Sequence, residues 1–410
     1  MTTPFIRYVP LPLKIGFPLA LLGMLLAASA AAQAPPLVLD SITAGADHAC
    51  GLTAQHAAWC WGSNAEGQLG NPAVTAPCTA GGGSEPCSTK PVKVATTVPF
   101  ASISAGHGFT CALSTSGVAY CWGANRFGQL GTGSQTPSSR PAKVGIEGAA
   151  FQSISAGDSH ACAVTTGGVA YCWGSNAGGK LGTGGTGGGH TVPVAVTGHL
   201  FRSISAGYFH TCALTRDGAL WCWGRNEQGE VGTAPRRQSS LPARVPAAVA
   251  FRLVHSAAQF DYTCGVDANG ALLCWGADCF AQLGVDSLLE QCGTPPMPCS
   301  TRPAAVHATG SFRTVSDEFS HTCALTADGA VLCWGDNNAG QLGNGNTGDR
   351  SSVPLPVGGA AGFRALAAGK EFTCGLTAQG AAQCWGLNTL GQLGSGDLAN
   401  HTTPTPVAQP

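Results

Sequence analysis

The chain has 410 residues, a formal net charge of -1 and 10% charged residues, against roughly 25% in an ordinary soluble domain. That balance excludes a basic nucleic-acid binder and an acidic solvating tail, and the length leaves room for a large core. With 59 Gly, 26 Pro and 44% hydrophobic residues, the composition suits many short strands joined by tight turns rather than long helices.

Residues 1–32 read as a secretory leader. Arg7 and Lys14 precede the apolar run Ile15 to Leu26, and the small residues Ala30-Ala31-Ala32-Gln33 follow, so cleavage is expected after Ala32. A membrane anchor is the competing reading, but the run is interrupted by Pro18 and Gly23 and is short of the roughly 20 residues a span needs. No cysteine stands near the cleavage site, and no later stretch is long and apolar enough to span. The expectation is a bacterial protein that is secreted or periplasmic, with no stable membrane span once the leader is removed. Nineteen cysteines in such a chain point to an oxidising compartment and to disulfides.

From residue 37 onward cysteine pairs recur: Cys50 and Cys60, Cys111 and Cys121, Cys162 and Cys172, Cys212 and Cys222, Cys264 and Cys274, Cys323 and Cys333, Cys374 and Cys384, each ten apart. Their first members are separated by 61, 51, 50, 52, 59 and 51 residues, a repeat of about 51 residues with two enlarged copies. The fourth copy predicts four strands: one ending at Gly207, then His210 to Thr215, Ala219 to Trp223, and Leu241 to Val245. Pairing Cys212 with Cys222 leaves Arg216-Asp217-Gly218 as a three-residue turn, a favoured hairpin closure. The spacing of ten thus sets the two cysteines directly opposite on adjacent antiparallel strands, about 4.5 to 5.5 Å apart at Cα, which a disulfide can bridge. Zinc sites instead pair cysteines two to four residues apart.

The residue before the first cysteine of each pair is Ala49, Thr110, Ala161, Thr211, Thr263, Thr322 or Thr373, and opposite it stands Trp61, Trp122, Trp173, Trp223, Trp275, Trp334 or Trp385. A small residue beside each Trp makes a slot for the indole, and apolar residues on both faces mean sheets covered on both sides. Four-stranded sheets packed face to face around an axis are propeller blades.

The recurring Ala-Gly, His-Thr-x-Ala-Leu, x-Asp-Gly, Trp-Gly-x-Asn and Gly-Gln-Leu-Gly, the last intact at 67–70, 128–131, 340–343 and 391–394, resembles the repeat of the regulator-of-chromosome-condensation family. The resemblance spans about residues 38 to 407 and implies an all-β, seven-bladed β-propeller, with 37–408 as the propeller domain. Departures are local: Lys180 in repeat three, Glu230-Val231 in repeat four, and Asp278, Ala281 and two extra residues before Cys264 in repeat five. A Pro-x-x-Val strand follows each repeat, and the last copy, Pro404 to Val407, has no repeat after it. It is expected to close the ring by completing the first blade beside Val38 to Thr43, removing an exposed edge.

In a four-stranded meander the connections between strands one and two and between strands three and four share one face. Both enlarged repeats carry insertions in the latter, at 71–90 with Cys78 and Cys87 and at 285–302 with Cys292 and Cys299; the matching tails Pro86-Cys-Ser-Thr-Lys-Pro91 and Pro298-Cys-Ser-Thr-Arg-Pro303 point to equivalent loop disulfides. Cys279 is left over. The same face should carry Asp47, His107, Asp158, Lys370, Glu371 and Glu227, and the candidate binding residues are Tyr208, Phe209, Arg225, Arg126, Phe127 and Phe319, since aromatic and Arg side chains are favoured interface anchors on rigid loops. His48, His160, His210 and His321 share one repeat position with Phe109, Tyr262 and Phe372, which argues for packing and a structural hydrogen bond rather than catalysis.

No catalytic constellation, phosphate loop or HExxH is present, and no cofactor or metal is implied. The expected function is that of an exported binding scaffold engaging an extracytoplasmic protein or a cell-surface polymer, with no nucleic acid as partner. The resemblance also brings an exchange activity on a small GTPase, which is not carried over because the chain reads as exported and lacks a basic tail. Alternatives are a hydrolase, lyase or enzyme accessory domain with an axial site, and a structural envelope protein.

Overall fold

The computed structural model describes residues 36–79, 84–233, 238–285, 290–359 and 362–410; the expected leader at 1–32 lies outside them. Residues Leu37–Pro410 form one unit of seven antiparallel sheets, each a meander of four consecutive strands, with a short fifth strand added in blades 1 and 5. Among the described residues no helix is long and apolar enough to cross a membrane.

The repeat motifs explain how each blade is built. In every copy the Asn after Trp-Gly folds the loop between strands three and four by accepting from the backbone N–H five residues on: Asn64 from Leu69 at 3.0 Å, Asn125 from Leu130 at 3.0 Å, Asn176 from Leu181 at 3.1 Å. Asp278 does the same for Leu283 at 2.8 Å, so its replacement of Asn keeps the acceptor the loop needs. The loop then ends in a Gly (Gly70, Gly131, Gly182, Gly232, Gly284, Gly343, Gly394) with φ between 64° and 74°. A Cβ there would lie 2.5 to 2.8 Å from an indole atom of the next blade, so both backbone angle and close approach demand glycine.

That approach lets each tryptophan reach across the blade boundary. Trp122 donates its indole N–H to the Gln68 carbonyl at 2.9 Å, Trp173 to Gln129 at 2.9 Å, Trp223 to Lys180 at 3.0 Å, Trp275 to Glu230 at 3.0 Å, Trp334 to Gln282 at 2.8 Å and Trp385 to Gln341 at 3.0 Å. All seven indoles are fully buried. Burial of this size stabilises strongly, and the hydrogen bond fixes each blade's pose against its neighbour.

The blade cysteines face each other in register as expected: Cys50 with Cys60, Cys111 with Cys121, Cys162 with Cys172, Cys212 with Cys222, Cys264 with Cys274, Cys323 with Cys333 and Cys374 with Cys384. Their Cα separations of 4.0 to 4.1 Å fall just under the expected 4.5 to 5.5 Å, nearest the value for the non-hydrogen-bonded pairs of an antiparallel ladder, where opposed residues approach most closely. Cys78 and Cys87, and Cys292 and Cys299, are also at disulfide distance, with Cα separations of 5.7 and 5.9 Å. Each sits in a small hairpin that supplies the fifth strand of its blade: Pro77–Cys78 against Glu85–Lys93, and Glu290–Cys292 against Met297–Ala305.

The histidines are structural. His48 Nε2 meets Thr110 Oγ1 of the next blade at 2.9 Å, and His160–Thr211, His210–Thr263 and His321–Thr373 repeat this at 2.8 Å. Each Thr hydroxyl gives its one proton to the carbonyl that also receives the Trp, as Thr211 does to Lys180 at 2.8 Å and Thr263 to Glu230 at 3.0 Å. The imidazole must therefore donate through Nε2, and Nδ1 is left bare and buried in all four. Burial pushes the pKa of His48, His210 and His321 down to about 3 and that of His160 well below its ordinary value, so the rings are neutral. The pairing runs through the whole ring. Phe109 and Phe372, which have nothing to donate, are followed in the next blade by Ala161 and Ala49, whereas Tyr262 is followed by Thr322, 3.3 Å from its hydroxyl.

Ring closure departs from the expectation. The C-terminal strand His401–Pro406 pairs with Ala382–Gly386 of its own blade, so it is the ordinary fourth strand of blade 7 and leaves no orphan to lend to blade 1. The first and last blades meet face to face like the others. Trp61 donates to the Gln392 carbonyl at 3.0 Å, Leu39 N–H donates to Gly380 O at 2.9 Å, and Arg364 donates to the carbonyls of Leu39 and Asp40 at 2.7 and 2.9 Å. Leu39, Ala49 and Trp61 share one apolar cluster with Phe372, Leu376, Leu393 and Val407. The outer edges stay exposed and are protected instead by proline, as at Pro91, Pro141, Pro242 and Pro404, which removes a donor from an edge strand.

Two outcomes follow. Thr263→Ala strips the acceptor from the buried His210 N–H and should destabilise by about 1–3 kcal/mol, while adding His210→Phe, which reproduces the Phe109–Ala161 pairing, should recover most of the loss in a double-mutant cycle by chemical denaturation. A double variant no more stable than the single one would contradict the coupling. Non-reducing peptide mapping should recover nine intramolecular pairs with Cys279 as the thiol; a link between different blades would overturn the assignment.

Candidate functional site

Seven inner strands, Ser41–Ala44, Phe100–Ala105, Phe151–Ala156, Ser203–Ala206, Phe251–Ser256, Phe312–Glu318 and Phe363–Ala368, surround the axis. At the end where they turn into the second strands, the next residues form a rim. Backbone donors tie it together: His107 N–H to Gly157 O at 3.1 Å, Asp158 N–H to Gly207 O at 3.3 Å and Lys370 N–H to Ala46 O at 3.2 Å. His107 Nδ1 lies 2.7 Å from Asp158 Oδ1, and this hydrogen bond holds the His107 pKa above its ordinary value. The loops between strands three and four rise at the same end, and with them the two added hairpins. Gly293 of the blade 5 hairpin backs so closely onto Gln228 that a Cβ would sit 2.2 Å from its amide nitrogen.

The rim brings three of the candidate residues together. The rings of Tyr208 and Phe209 lie 4.1 Å apart, and the Arg225 guanidinium stacks 4.1 Å above Phe209. Beneath them is a charged network. Lys180 donates to Ser159 Oγ at 2.7 Å and to the Tyr208 carbonyl at 3.0 Å, with its ammonium 5.0 Å from the Phe209 ring. Arg225 is paired with Asp261, and its Nε lies 3.6 Å from Glu230 Oε1. Lys180 and Glu230 are fully buried. Burial lowers the Lys180 pKa to about 8, and burial together with the Asp261 charge raises that of Glu230 to about 8.

Phe319 belongs to a second cluster, with Phe260 and Phe280 at centroid distances of 6.0 Å from each, and Lys370 Nζ 5.6 Å from its ring. Its φ of 44° is unusual for a bulky residue and aims the ring into that cluster. Arg126 and Phe127 stand apart on the blade 2 loop, exposed, and among the described residues no ring contact joins them to either cluster. Cys279 lies beside Met297, sulfur to sulfur at 3.3 Å, half-buried. Among the described residues the one group of His, Cys, Asp or Glu close enough to share a metal is Glu290, Cys292 and Cys299, whose two sulfurs are at disulfide distance from each other.

Lys180 and Glu230 were visible as departures from Gly-Gln-Leu-Gly, but their role was not. The missed signal is that two opposite charges replace the same Gln in consecutive repeats. In the remaining copies that Gln accepts from the N–H two residues back, as Gln129 does from Phe127 at 2.9 Å. Glu230 keeps this bond, to Gln228 at 2.8 Å.

Comparison with known proteins accords with this architecture. The profile of the RCC1-like domain matches residues 136–410, and profiles of the regulator of chromosome condensation (RCC1) repeat match 40–68, 100–129 and 55–113. The chain belongs to the RCC1 repeat family. The Ultraviolet-B receptor UVR8 of Arabidopsis thaliana is 30% identical over 377 residues, covering 90% of this chain and 82% of UVR8. The human probable E3 ubiquitin-protein ligase HERC6 is 32% identical over 162 residues, but these make up only 14% of HERC6. Among solved structures, human WBSCR16 has a TM-score of 0.74 at 22% identity, with 86% of this chain and 94% of that one covered. Prp20p of Saccharomyces cerevisiae, described with its binding to Gsp1p and histones, has a TM-score of 0.74 at 20% identity, with 87% of each chain covered. At these identities the two structures bear on the fold alone, and the RCC1 assignment stands on the profile and on UVR8.

Because other RCC1 repeats of this chain hold Gln where blades 3 and 4 hold Lys180 and Glu230, Lys180→Gln and Glu230→Gln should each fold normally. Lys180 is bonded to neutral oxygens and Arg225 keeps Asp261 as its partner when Glu230 is replaced, so neither change strands a buried charge, and the melting temperature should fall by no more than about 2 °C, or should rise. A loss of more than about 5 °C in either variant would show that the network exists for stability.

Proposed function

We propose that this RCC1-repeat propeller is an exported binding scaffold that engages a protein or a cell-surface polymer through the rim carrying Tyr208, Phe209 and Arg225. The observation that carries this reading is the buried network of Lys180, Glu230 and Asp261 beneath the stack. Buried ionisable groups cost stability where a Gln would serve, yet here Asp261 and Glu230 flank the Arg225 guanidinium stacked on Phe209, and Lys180 braces the Tyr208 carbonyl. A side chain ordered before binding loses little entropy on binding, and Tyr and Arg are the residue types that dominate interface energetics.

Export is supported by the residues of the leader and by 18 cysteines at disulfide distance within the propeller, an arrangement suited to an oxidising compartment. Prp20p of Saccharomyces cerevisiae, which shares the fold and binds Gsp1p and histones, is a precedent for a protein as partner; Gsp1p itself is not proposed, since an exported chain would not meet it. The rim offers aromatic and charged anchors rather than an arranged nucleophile and base, which favours binding over catalysis.

Tyr208→Ala with Phe209→Ala should weaken capture of the partner from the native extracytoplasmic fraction by at least about tenfold, the loss of one good anchor, with little change in melting temperature. Substitutions in the opposite turns, Asp217→Ala and Asp328→Ala, should leave capture intact. The reverse pattern would place the partner on the other face.

A further inference from the structure

Each inner strand is entered through a buried Leu or Phe, and the residue after it lies at the end of the axis opposite the rim. The repeat changes its charge at this position. It holds Ala101 in blade 2 and Gln152 in blade 3, then Arg202, Arg252, Arg313 and Arg364 in blades 4 to 7. Blade 1, next around the ring, has Asp40. Four arginines therefore stand at one repeat position in consecutive blades of a chain with only 20 Lys and Arg in all.

Their hydrogen bonds fix the guanidiniums at this mouth of the axis. Arg202 donates through Nη2 to the carbonyls of Phe251 and Arg252, both at 3.0 Å, where the next inner strand begins, and through Nε to Thr215 O at 3.2 Å. Arg364 repeats the pattern across the closing boundary, donating to Leu39 O at 2.7 Å, Asp40 O at 2.9 Å and Thr377 O at 3.3 Å. Arg252 donates to Phe312 O, and Arg313 to Ala327 O at 2.7 Å. Neighbouring inner strands are one short side chain apart, since Ser205 Oγ accepts from Ser256 N–H at 2.9 Å and Ser316 Oγ from Ala368 N–H at 2.8 Å. The arginines are thus carried at intervals of roughly 10 Å or less.

The carbonyl bonds do not need the charge. In blade 3 Gln152 Nε2 donates to Arg202 O at 3.4 Å, and in blade 1 His56 Nδ1 lies 3.1 Å from Phe100 O, so an amide or an imidazole serves the same entry carbonyls. Nor is the charge matched inside the chain. Among the described residues the one carboxylate within ion-pair distance of these guanidiniums is Asp40, 3.7 Å from Arg364. The turn carboxylates at the same end are engaged in their own turns, Asp217 by the Thr215 hydroxyl and Asp328 by the Thr326 hydroxyl. Donors are left over as well. Arg202 Nη1 makes no hydrogen bond among the described residues and is not enclosed, and the exposed Arg252 and Arg313 each engage one of three nitrogens. Unmatched like charges gathered around one opening repel each other and draw anions to it.

We infer that the mouth of the axis opposite the rim binds a ligand carrying two or more phosphate groups in series, which accept from the arginines of blades 4 to 7. A guanidinium offers a planar fork of donors suited to oxyanions. A tetrahedral phosphate has acceptor oxygens pointing several ways and can meet forks that arrive from different blades, whereas a carboxylate accepts along one edge. The phosphates belong either to a soluble oligophosphate or to the headgroups of an anionic lipid surface. The site lies at the other end of the axis from Tyr208, Phe209 and Arg225, so it holds or fails whatever the rim engages.

The test is calorimetry on the full mature chain at low ionic strength, with tripolyphosphate as probe. Binding is expected, weakening steeply as salt is raised, with a tetraglutamate peptide at least about tenfold weaker. Arg252→Gln with Arg313→Gln should weaken tripolyphosphate binding by at least about tenfold with the melting temperature nearly unchanged, and Arg202→Gln should act in the same direction. Gln152→Arg, beside Arg202, lengthens the arc and should tighten binding about threefold, which keeps the test decisive if the double variant is unstable. Arg140→Gln, on the outer strand of blade 2, should change nothing. Cosedimentation with phosphatidylglycerol vesicles but not with phosphatidylcholine vesicles, lost in the double variant, assigns the phosphates to a lipid surface; tripolyphosphate binding without cosedimentation assigns them to a soluble ligand. Binding of neither probe, equal binding of tetraglutamate, indifference to the arginine substitutions, or an equal loss in Arg140→Gln would overturn the assignment.

Discussion

The contact on which the propeller depends is the indole N–H that each blade extends to the carbonyl of the preceding blade's Gln position. It recurs at every boundary, including the one between the last blade and the first, where Trp61 meets Gln392. The surrounding motif residues serve it. The Asn folds the loop that presents the carbonyl, the second Gly of Gly-Gln-Leu-Gly clears room for the indole, and the Ala or Thr beside the Trp makes the slot. Because each blade is complete in sequence, this boundary contact, and not strand exchange, is what turns seven sheets into a ring.

The same boundary carries a polar second layer with a rule of its own. A His or Tyr in one blade is met by Thr in the next, and a Phe by Ala. Each buried imidazole N–H thereby finds an acceptor, while the Tyr262 hydroxyl donates to the His321 carbonyl at 2.8 Å with the Thr322 hydroxyl 3.3 Å away. The rule was legible in principle, since both positions were identified from the repeat. It was missed because the two residues lie about 50 positions apart, and only the ring's geometry says that they touch. The ring closure was misread for a related reason: the fourth strand was counted correctly inside one repeat but treated as belonging between repeats at the C terminus.

Blade number, strand order, disulfide register and the shared face of the two insertions could be read from spacing alone, because a hairpin with a three-residue turn leaves the cysteines a single register. Cys212 with Cys222 and Cys264 with Cys274 obey it even in the two blades whose loops depart most from the repeat, as do Cys323 with Cys333 and Cys374 with Cys384 in the last two. The site was legible only in part. Tyr208, Phe209 and Arg225 were selected by residue type and position, and the structure brings them together, while Phe319 joined a different cluster and Arg126 and Phe127 joined neither. Lys180 and Glu230, beneath the stack, sit at a repeat position where the chain departs from its own pattern. In a repeat protein such departures are where packing demands have been set aside, and both here gather around the same end of the channel.

The central claim is that this rim is the surface through which the propeller meets its partner. Its most direct test is photo-crosslinking in the native compartment, with a benzoylphenylalanine placed in turn at Tyr208, at Phe319 and, on the opposite face, at Asp217 and Asp328. The account predicts that one partner is trapped from the first two positions and not from the others; crosslinks arising from Asp217 or Asp328 with none from Tyr208 would contradict it.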